Sequence, residues 1–278
     1  MCDTCGCNGN GNENNYKIYK PGKIDDELKE SLTESHHHSH SPGRAHHDHN
    51  HLHNHDHESH TINIGQDILG ENNMIAERNR GYFEAKEILA LNLVSSPGSG
   101  KTSLLEKTIK ALSDKIKCYV IEGDQQTDND ARRIAATGAE VLQINTGNAC
   151  HLDAHMVNDS LNQLKPAESS VLFIENVGNL VCPALFDLGE KQRILIFSVT
   201  EGEDKPLKYP NMFHTSDICI INKTDLLPYL DFNLELAKQN VLKINPEATI
   251  IELSAKTGEG MDLWINWIKN SNILDSNK

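Results

Sequence analysis

The chain has 278 residues, a net charge of −14, 15 histidines and 7 cysteines. An acidic balance without a basic stripe excludes a surface built to coat nucleic acid. No run approaches the ~20 apolar residues of a membrane-crossing helix. The start, Met1-Cys2-Asp3-Thr4-Cys5, lacks the basic-then-apolar layout of a secretion signal. The expected location is therefore cytoplasmic, where thiols serve as metal ligands or core residues rather than as a disulfide framework.

Residues 1–60 hold 12 of the 15 histidines and almost no hydrophobic periodicity. Cys2, Cys5 and Cys7 place thiolates close enough to converge on one ion. Soft thiolates suit nickel, zinc or cuprous copper, and a planar nitrogen/sulfur geometry favours nickel. From His36 to His60 histidine alternates with Ser, Asp and Asn. Such a composition cannot bury enough apolar surface to offset chain entropy, so residues 1–60 read as a largely disordered metal-binding region. Its neutral imidazoles can take several divalent ions, each weakly. Residues 61–87 read as a linker and an N-terminal helix, with a helical pattern from about Asn72 to Glu87 that packs outside the domain.

Residues 88–278 read as the folded domain. Apolar runs predict strands at Ile88–Val94, Lys117–Glu122, Glu140–Ile144, Ser170–Glu175, Arg193–Val199, Asp217–Asn222 and Thr249–Leu253. Helices are expected at Thr102–Leu112, Asp153–Leu164, Asn233–Leu242 and Met261–Lys269. Short apolar strands alternating with helices predict an α/β fold with a mostly parallel sheet flanked by helices.

Between the first strand and its helix stands Ser95-Ser96-Pro97-Gly98-Ser99-Gly100-Lys101-Thr102-Ser103. It departs from the usual phosphate-loop pattern because Ser95 occupies the place of the first glycine. The physics is kept: Gly98 and Gly100 let the backbone curl so that N–H groups, with Ser99 and Ser103 flanking, face phosphate oxygens. Lys101 can bridge the outer phosphates, the Thr102 hydroxyl can hold Mg²⁺, and the helix adds its positive end. Asn222-Lys223-Thr224-Asp225 ends a later strand. The Asp225 carboxylate can accept two hydrogen bonds from guanine, a pattern that adenine lacks. Ser254-Ala255-Lys256 follows the final strand, where a backbone N–H can meet the guanine oxygen. Three such motifs in order, each at a strand's C-terminal end, select GTP and GDP. Asp124 and Glu175 also end strands, and either can reach Mg²⁺ directly or through water. No glutamine is placed to orient water, so slow intrinsic turnover is expected.

The runs Leu93–Thr102, Ile121–Thr127, Asn145–Gly147, Glu175–Pro183, Asp187–Glu190 and Ser198–Pro206 together resemble the HypB family of hydrogenase-maturation GTPases. The resemblance covers about Leu91 to the C-terminus, plus Cys2, Cys5, Gly6 and Cys7. It implies a SIMIBI-type P-loop GTPase that dimerises around nucleotide and binds nickel through the N-terminal cysteines. It also implies help in delivering nickel to the large-subunit precursor of [NiFe]-hydrogenase, with a HypA-type chaperone and SlyD as partners. The spacing of Cys150-His151 and Cys182 carries no metal signature by itself. The resemblance implies that they hold nickel or zinc at a dimer interface, with His155 a minor further candidate. Cys118 and Cys219 lie in apolar strands and read as core. Two rivals differ in consequence: a nickel store whose GTPase site is only a scaffold, and a urease-type nickel-insertion GTPase.

Overall fold

Each long apolar run forms a strand that is covered by helices on both faces. The computed structural model describes residues 16–22, 57–125 and 127–275. Its strands are β1 (Lys17–Tyr19), β2 (Leu89–Ser95), β3 (Cys118–Asp124), β4 (Glu140–Asn145), β5 (Val171–Glu175), β6 (Gln192–Ser198), β7 (Ile218–Asn222) and β8 (Thr249–Glu252). Helices α1 (His57–Ala85), α2 (Lys101–Leu112), α3 (Asn129–Ala135) and α4 (Ala154–Leu164) precede two short ones, α5 (Lys205–Lys208) and α6 (Pro210–His214), then α7 (Leu234–Ile244) and α8 (Met261–Asp275). The strands form one sheet in the order β1-β4-β3-β5-β2-β6-β7-β8. All neighbours are parallel except β1, which runs antiparallel to β4.

Alternation along the strands sends side chains to the two faces of the sheet, where three apolar clusters form. Leu89, Leu91, Leu93, Val120, Phe173, Ile196 and Ile220 meet α2, α3 and α8 on one face. On the other face Ala90, Ile121, Ile144, Leu172 and Ile174 meet α1 and α4, while Leu195, Phe197 and Ile221 meet α6 and α7. Trp264 is fully buried, and its indole N–H donates to Thr108 Oγ1 at 2.9 Å, tying α8 to α2.

Two features differ from the sequence reading. Strand β1 lies inside the segment read as lacking structure. Three residues, Lys17, Ile18 and Tyr19, pair with Asn145, Ile144 and Gln143 at the sheet edge. Tyr16 extends this anchor by donating from its hydroxyl to Asp159 at 2.6 Å. The rest of residues 1–15 and 23–56, including Cys2, Cys5, Cys7 and most of the histidine tract, lies outside the described residues. Helix α1 begins earlier than expected, at His57, and it packs into the domain rather than outside it. Ala76 and Phe83 are buried. Asn79 donates to Ala154 O at 2.9 Å and Leu188 O at 3.1 Å, and accepts from Asn158 at 2.9 Å. The loop Asp187–Glu190 lies so close to α1 that a Cβ on Gly189, at φ 86°, would sit 2.4 Å from Ala76 O. Asp153 caps α4, and Asn72 accepts from the helix's first N–H, Ala154 N, at 2.9 Å.

Asn79 is fully buried, so its replacement removes three hydrogen bonds and orphans their partners. Asn79→Ala is expected to lower the free energy of unfolding by about 2 kcal/mol. Urea titration followed by circular dichroism checks this, with loss of stability and an intact baseline as the expected outcome.

Candidate functional site

The C-terminal ends of β2, β3, β5 and β7 converge on a cleft of about 540 Å³ lined by the turn after β2, Glu122, Asp124, Glu175, Asn176 and Lys223. Open α/β sheets bind ligands at this edge. Gly98 and Gly100 both adopt positive φ, 77° and 95°, as the curled turn requires. A Cβ at Gly100 would lie 2.6 Å from Asn222 Nδ2, so the position needs glycine for space as well as for backbone angle.

The motif after β7 is built against the phosphate turn. Asn222 is buried and donates from Nδ2 to Ser99 O at 2.8 Å. Its Oδ1 accepts from Lys223 N at 2.7 Å and from Ala255 N at 3.1 Å. Lys223 Nζ donates to Gly98 O at 2.6 Å. Asp225 Oδ1 accepts from Ser254 Oγ at 2.6 Å, which orients the carboxylate from the loop after β8. The N–H groups of Ser254 and Ala255 are already engaged, by Glu259 O and Asn222 Oδ1. Of that tripeptide, only the Lys256 N–H remains for a base.

At the phosphate end, Thr102 Oγ1 donates to Glu175 Oε1 at 2.8 Å, and Lys101 Nζ lies 3.6 Å from the same oxygen. Burial pushes the Glu175 carboxyl above its ordinary range, against the opposing pull of Lys101 and Thr102. Glu175 Oε2 is buried without a hydrogen-bond partner. Such an orphaned carboxylate oxygen beside a threonine hydroxyl fits a magnesium ion and its hydration shell. Asp124 lines the cleft, but its carboxylate accepts from Gln125 N at 2.7 Å, Thr127 N at 3.2 Å and Thr127 Oγ1 at 2.8 Å. These bonds hold the carboxylate in place and leave its Oδ1 with one acceptor position free. Ser103 Oγ accepts from Arg133 at 3.2 Å, 30 residues away on α3.

A second cluster stands beside the first. Cys150, His151 and Cys182 each bring one ligand atom within 4.8 Å of the others. Ligand distances of ~2.0–2.3 Å around a zinc or similar ion require donors about this close. His151 is buried and stacks on Phe186 with ring centroids 4.0 Å apart. Burial holds its imidazole below the ordinary range, which keeps it neutral, the form that ligates metal. His151 Nδ1 has no hydrogen-bond partner. His155 is elsewhere, its Nδ1 bonded to the Tyr16 hydroxyl at 2.8 Å and 3.5 Å from Asp159. Cys118 and Cys219 are buried in the core, and burial pushes both thiols up to about 12.

Three residues of this site were not singled out from the sequence, although Glu122 and Glu201 lie in the runs Ile121–Thr127 and Ser198–Pro206. Glu201 accepts from Ser99 Oγ at 2.8 Å and Ser198 N at 3.0 Å, bracing the phosphate turn from the β6 side. Arg133 and Glu122 line the cleft. Burial, then the charges of Glu175 and Asp124, pushes the Glu122 carboxyl up to about 9.

The CobW/HypB/UreG nucleotide-binding domain matches residues 89–252. The chain is 58% identical over 212 residues to the hydrogenase maturation factor HypB of Azotobacter vinelandii, covering 76% of this chain and 70% of that one. It is 47% identical over 286 residues to HypB of Escherichia coli K12, covering 97% and 98% of the two chains. The chain belongs to the HypB family of hydrogenase maturation factors. Among solved structures, HypB of Archaeoglobus fulgidus superposes with a TM-score of 0.69 at 39% identity, covering 73% of this chain and 99% of that one. HypB of Helicobacter pylori in complex with nickel gives 0.69 at 38%, covering 74% and 96%. As a HypB family member, the chain carries a P-loop GTPase domain and serves hydrogenase maturation. Among the described residues no helix is long and apolar enough to cross a membrane.

Cys150 and Cys182 are partly exposed, whereas Cys118 and Cys219 are closed off by packing. Brief alkylation of the metal-free protein at pH 8, read by peptide mass mapping, is expected to modify Cys150 and Cys182. Cys118 and Cys219 are expected to react only after denaturation.

Proposed function

We propose that this chain is a GTP-gated nickel carrier, in which nucleotide state sets the grip of Cys150, His151 and Cys182 on the ion. The observation that carries the proposal is Asn176. This residue follows Glu175 directly and is 1% exposed. Its Oδ1 accepts from Leu152 N at 3.1 Å and Val177 N at 2.9 Å. Leu152 is the neighbour of His151. Three residues on, Asn179 donates to Cys150 O at 3.3 Å. Between them Gly178 lies against Pro97 of the phosphate turn, where a Cβ would sit 3.2 Å away. One short segment, 175–182, thus touches the phosphate site at one end and carries Cys182 at the other.

In this reading Lys101 and the N–H groups from Gly98 to Ser103 hold the phosphates, and Asp225 with Lys256 N–H reads guanine. Magnesium, held by Thr102, Glu175 and Asp124, would supply neutralisation of the charge that develops between the outer phosphates. Gln125 lines the cleft, but its side-chain amide donates to Ala149 O at 3.4 Å, and slow turnover by the isolated protein stays part of this reading. Nickel is the cargo, and zinc is the competitor for the same sulfur and nitrogen donors. Val181 and Leu185, on either side of Cys182, are 59% and 55% exposed. Apolar side chains bared beside a three-donor cluster support a nucleotide-dependent homodimer that closes over the metal. Cys2, Cys5 and Cys7 are proposed as a separate nickel site. The proposed recipients and helpers are the hydrogenase large-subunit precursor, a HypA-type chaperone and SlyD.

The test is nickel titration of the Cys2/Cys5/Cys7→Ala protein, loaded with GDP or with a non-hydrolysable GTP analogue. The expected result is a difference in nickel affinity of about tenfold or more between the two states, equivalent to a coupling free energy of about 1.4 kcal/mol. In Asn176→Ala the two affinities are expected to converge when each nucleotide is held at saturation for the variant. Equal nickel affinities in the unmodified segment would refute the gating and leave a simple nickel store.

A further inference from the structure

We propose that Glu122 is the outer carboxylate of the magnesium site, accepting hydrogen bonds from the ion's hydration shell beside Glu175. The proposal rests on the magnesium reading above and adds a residue to it. Strands β3 and β5 are parallel neighbours with Glu122 and Glu175 in register. Paired strands lie ~4.8 Å apart, so the two side chains leave the same face at adjacent positions. That face is the one below, where Val120 and Phe173 pack against α2. The first residues of α2 are Lys101 and Thr102, so the two carboxylates sit under the phosphate turn.

Both groups are closed off, Glu122 at 3% and Glu175 at 2% exposure, and both line the cleft. Each leaves its Oε2 buried with no hydrogen-bond partner. Two adjacent buried carboxylates with orphaned oxygens are costly, and a single unpaired one is already rare in a native fold. Lys101 answers one of them, lying 3.6 Å from Glu175 Oε1. A divalent cation with its waters supplies both the missing charge and the missing donors.

The order of the strands divides the labour. Thr102 is bonded to Glu175, on the strand next to β2, whereas Glu122 stands one strand further from the phosphate turn. Magnesium keeps several of its waters in protein sites. Glu175 is therefore the nearer group, and Glu122 meets the hydration shell. Such outer partners orient the inner ones, and their loss weakens metal binding by roughly 10- to 100-fold. Glu122 acts here as a positioning residue rather than a catalytic one.

The experiment uses the full chain and a fluorescent GDP analogue. Release of the nucleotide is measured across a magnesium titration and in excess EDTA, for the wild-type chain and for Glu122→Gln. The expected result is a magnesium midpoint raised about tenfold in Glu122→Gln, with equal release rates in EDTA. Glu122→Asp, which keeps the charge, is expected to fall between the two and stands in should the glutamine variant fail to fold. An unchanged midpoint overturns the proposal, as does an equal loss of nucleotide affinity with and without magnesium. If the wild-type chain itself shows no magnesium dependence, the magnesium reading fails first.

Discussion

The Asn222 side chain ties the two halves of the nucleotide site into one piece. Its amide donates to Ser99 O in the phosphate turn, and its carbonyl accepts from Lys223 and Ala255. It is buried, so these bonds are made away from competing water. Gly100 is obligatory because this amide occupies the space a Cβ would take. The turn that faces phosphate and the turns that face the base therefore cannot move independently. Everything else at the ligand edge is arranged around that fixed cradle.

The segment proposed to respond to nucleotide is on the other side of β2. The segment after β5 leaves Glu175 at the phosphate end, passes Pro97 at Gly178 and reaches Cys182 within seven residues. Asn176 and Asn179 bond it to the backbone of the Cys150–Leu152 loop. A shift in how Glu175 and the phosphate turn meet would be transmitted to the metal donors through hydrogen bonds rather than through a distant domain motion. The opposite end of the same loop is anchored firmly, since Asn72 and Asn79 of α1 bond both ends of the Ala154 peptide region. Coupling of this kind needs an element with two arrangements that both ligands bias.

The long strands were legible because a parallel sheet covered on both faces demands unbroken apolar runs. Leu89–Ser95 and Gln192–Ser198 fall within one residue of the expected boundaries. Strand β1 was not legible: Lys17-Ile18-Tyr19 is too short to show periodicity and becomes a strand only by pairing with β4. Helix α1 is weakly patterned because asparagines, Asn72 and Asn79, alternate with Ala76 and Phe83 on its buried face. The nucleotide residues were readable since phosphate and guanine recognition constrain residue type at fixed spacing. The donors Cys150, His151 and Cys182 lie 31 or 32 residues apart in part, and only the fold brings them within 4.8 Å. They were reached through family resemblance, not spacing. Glu122 was passed over because it stands inside the expected strand Lys117–Glu122, and only the sheet order shows it buried beside Glu175.

The most direct test watches the metal while only the nucleotide changes. Nickel bound at Cys150, His151 and Cys182, in a chain with Cys2, Cys5 and Cys7 replaced by alanine, should show a thiolate-to-nickel charge-transfer band. Exchange of GDP for a non-hydrolysable GTP analogue is predicted to shift or abolish that band at constant nickel and protein. A band that stays the same while the analogue is demonstrably bound would contradict the account.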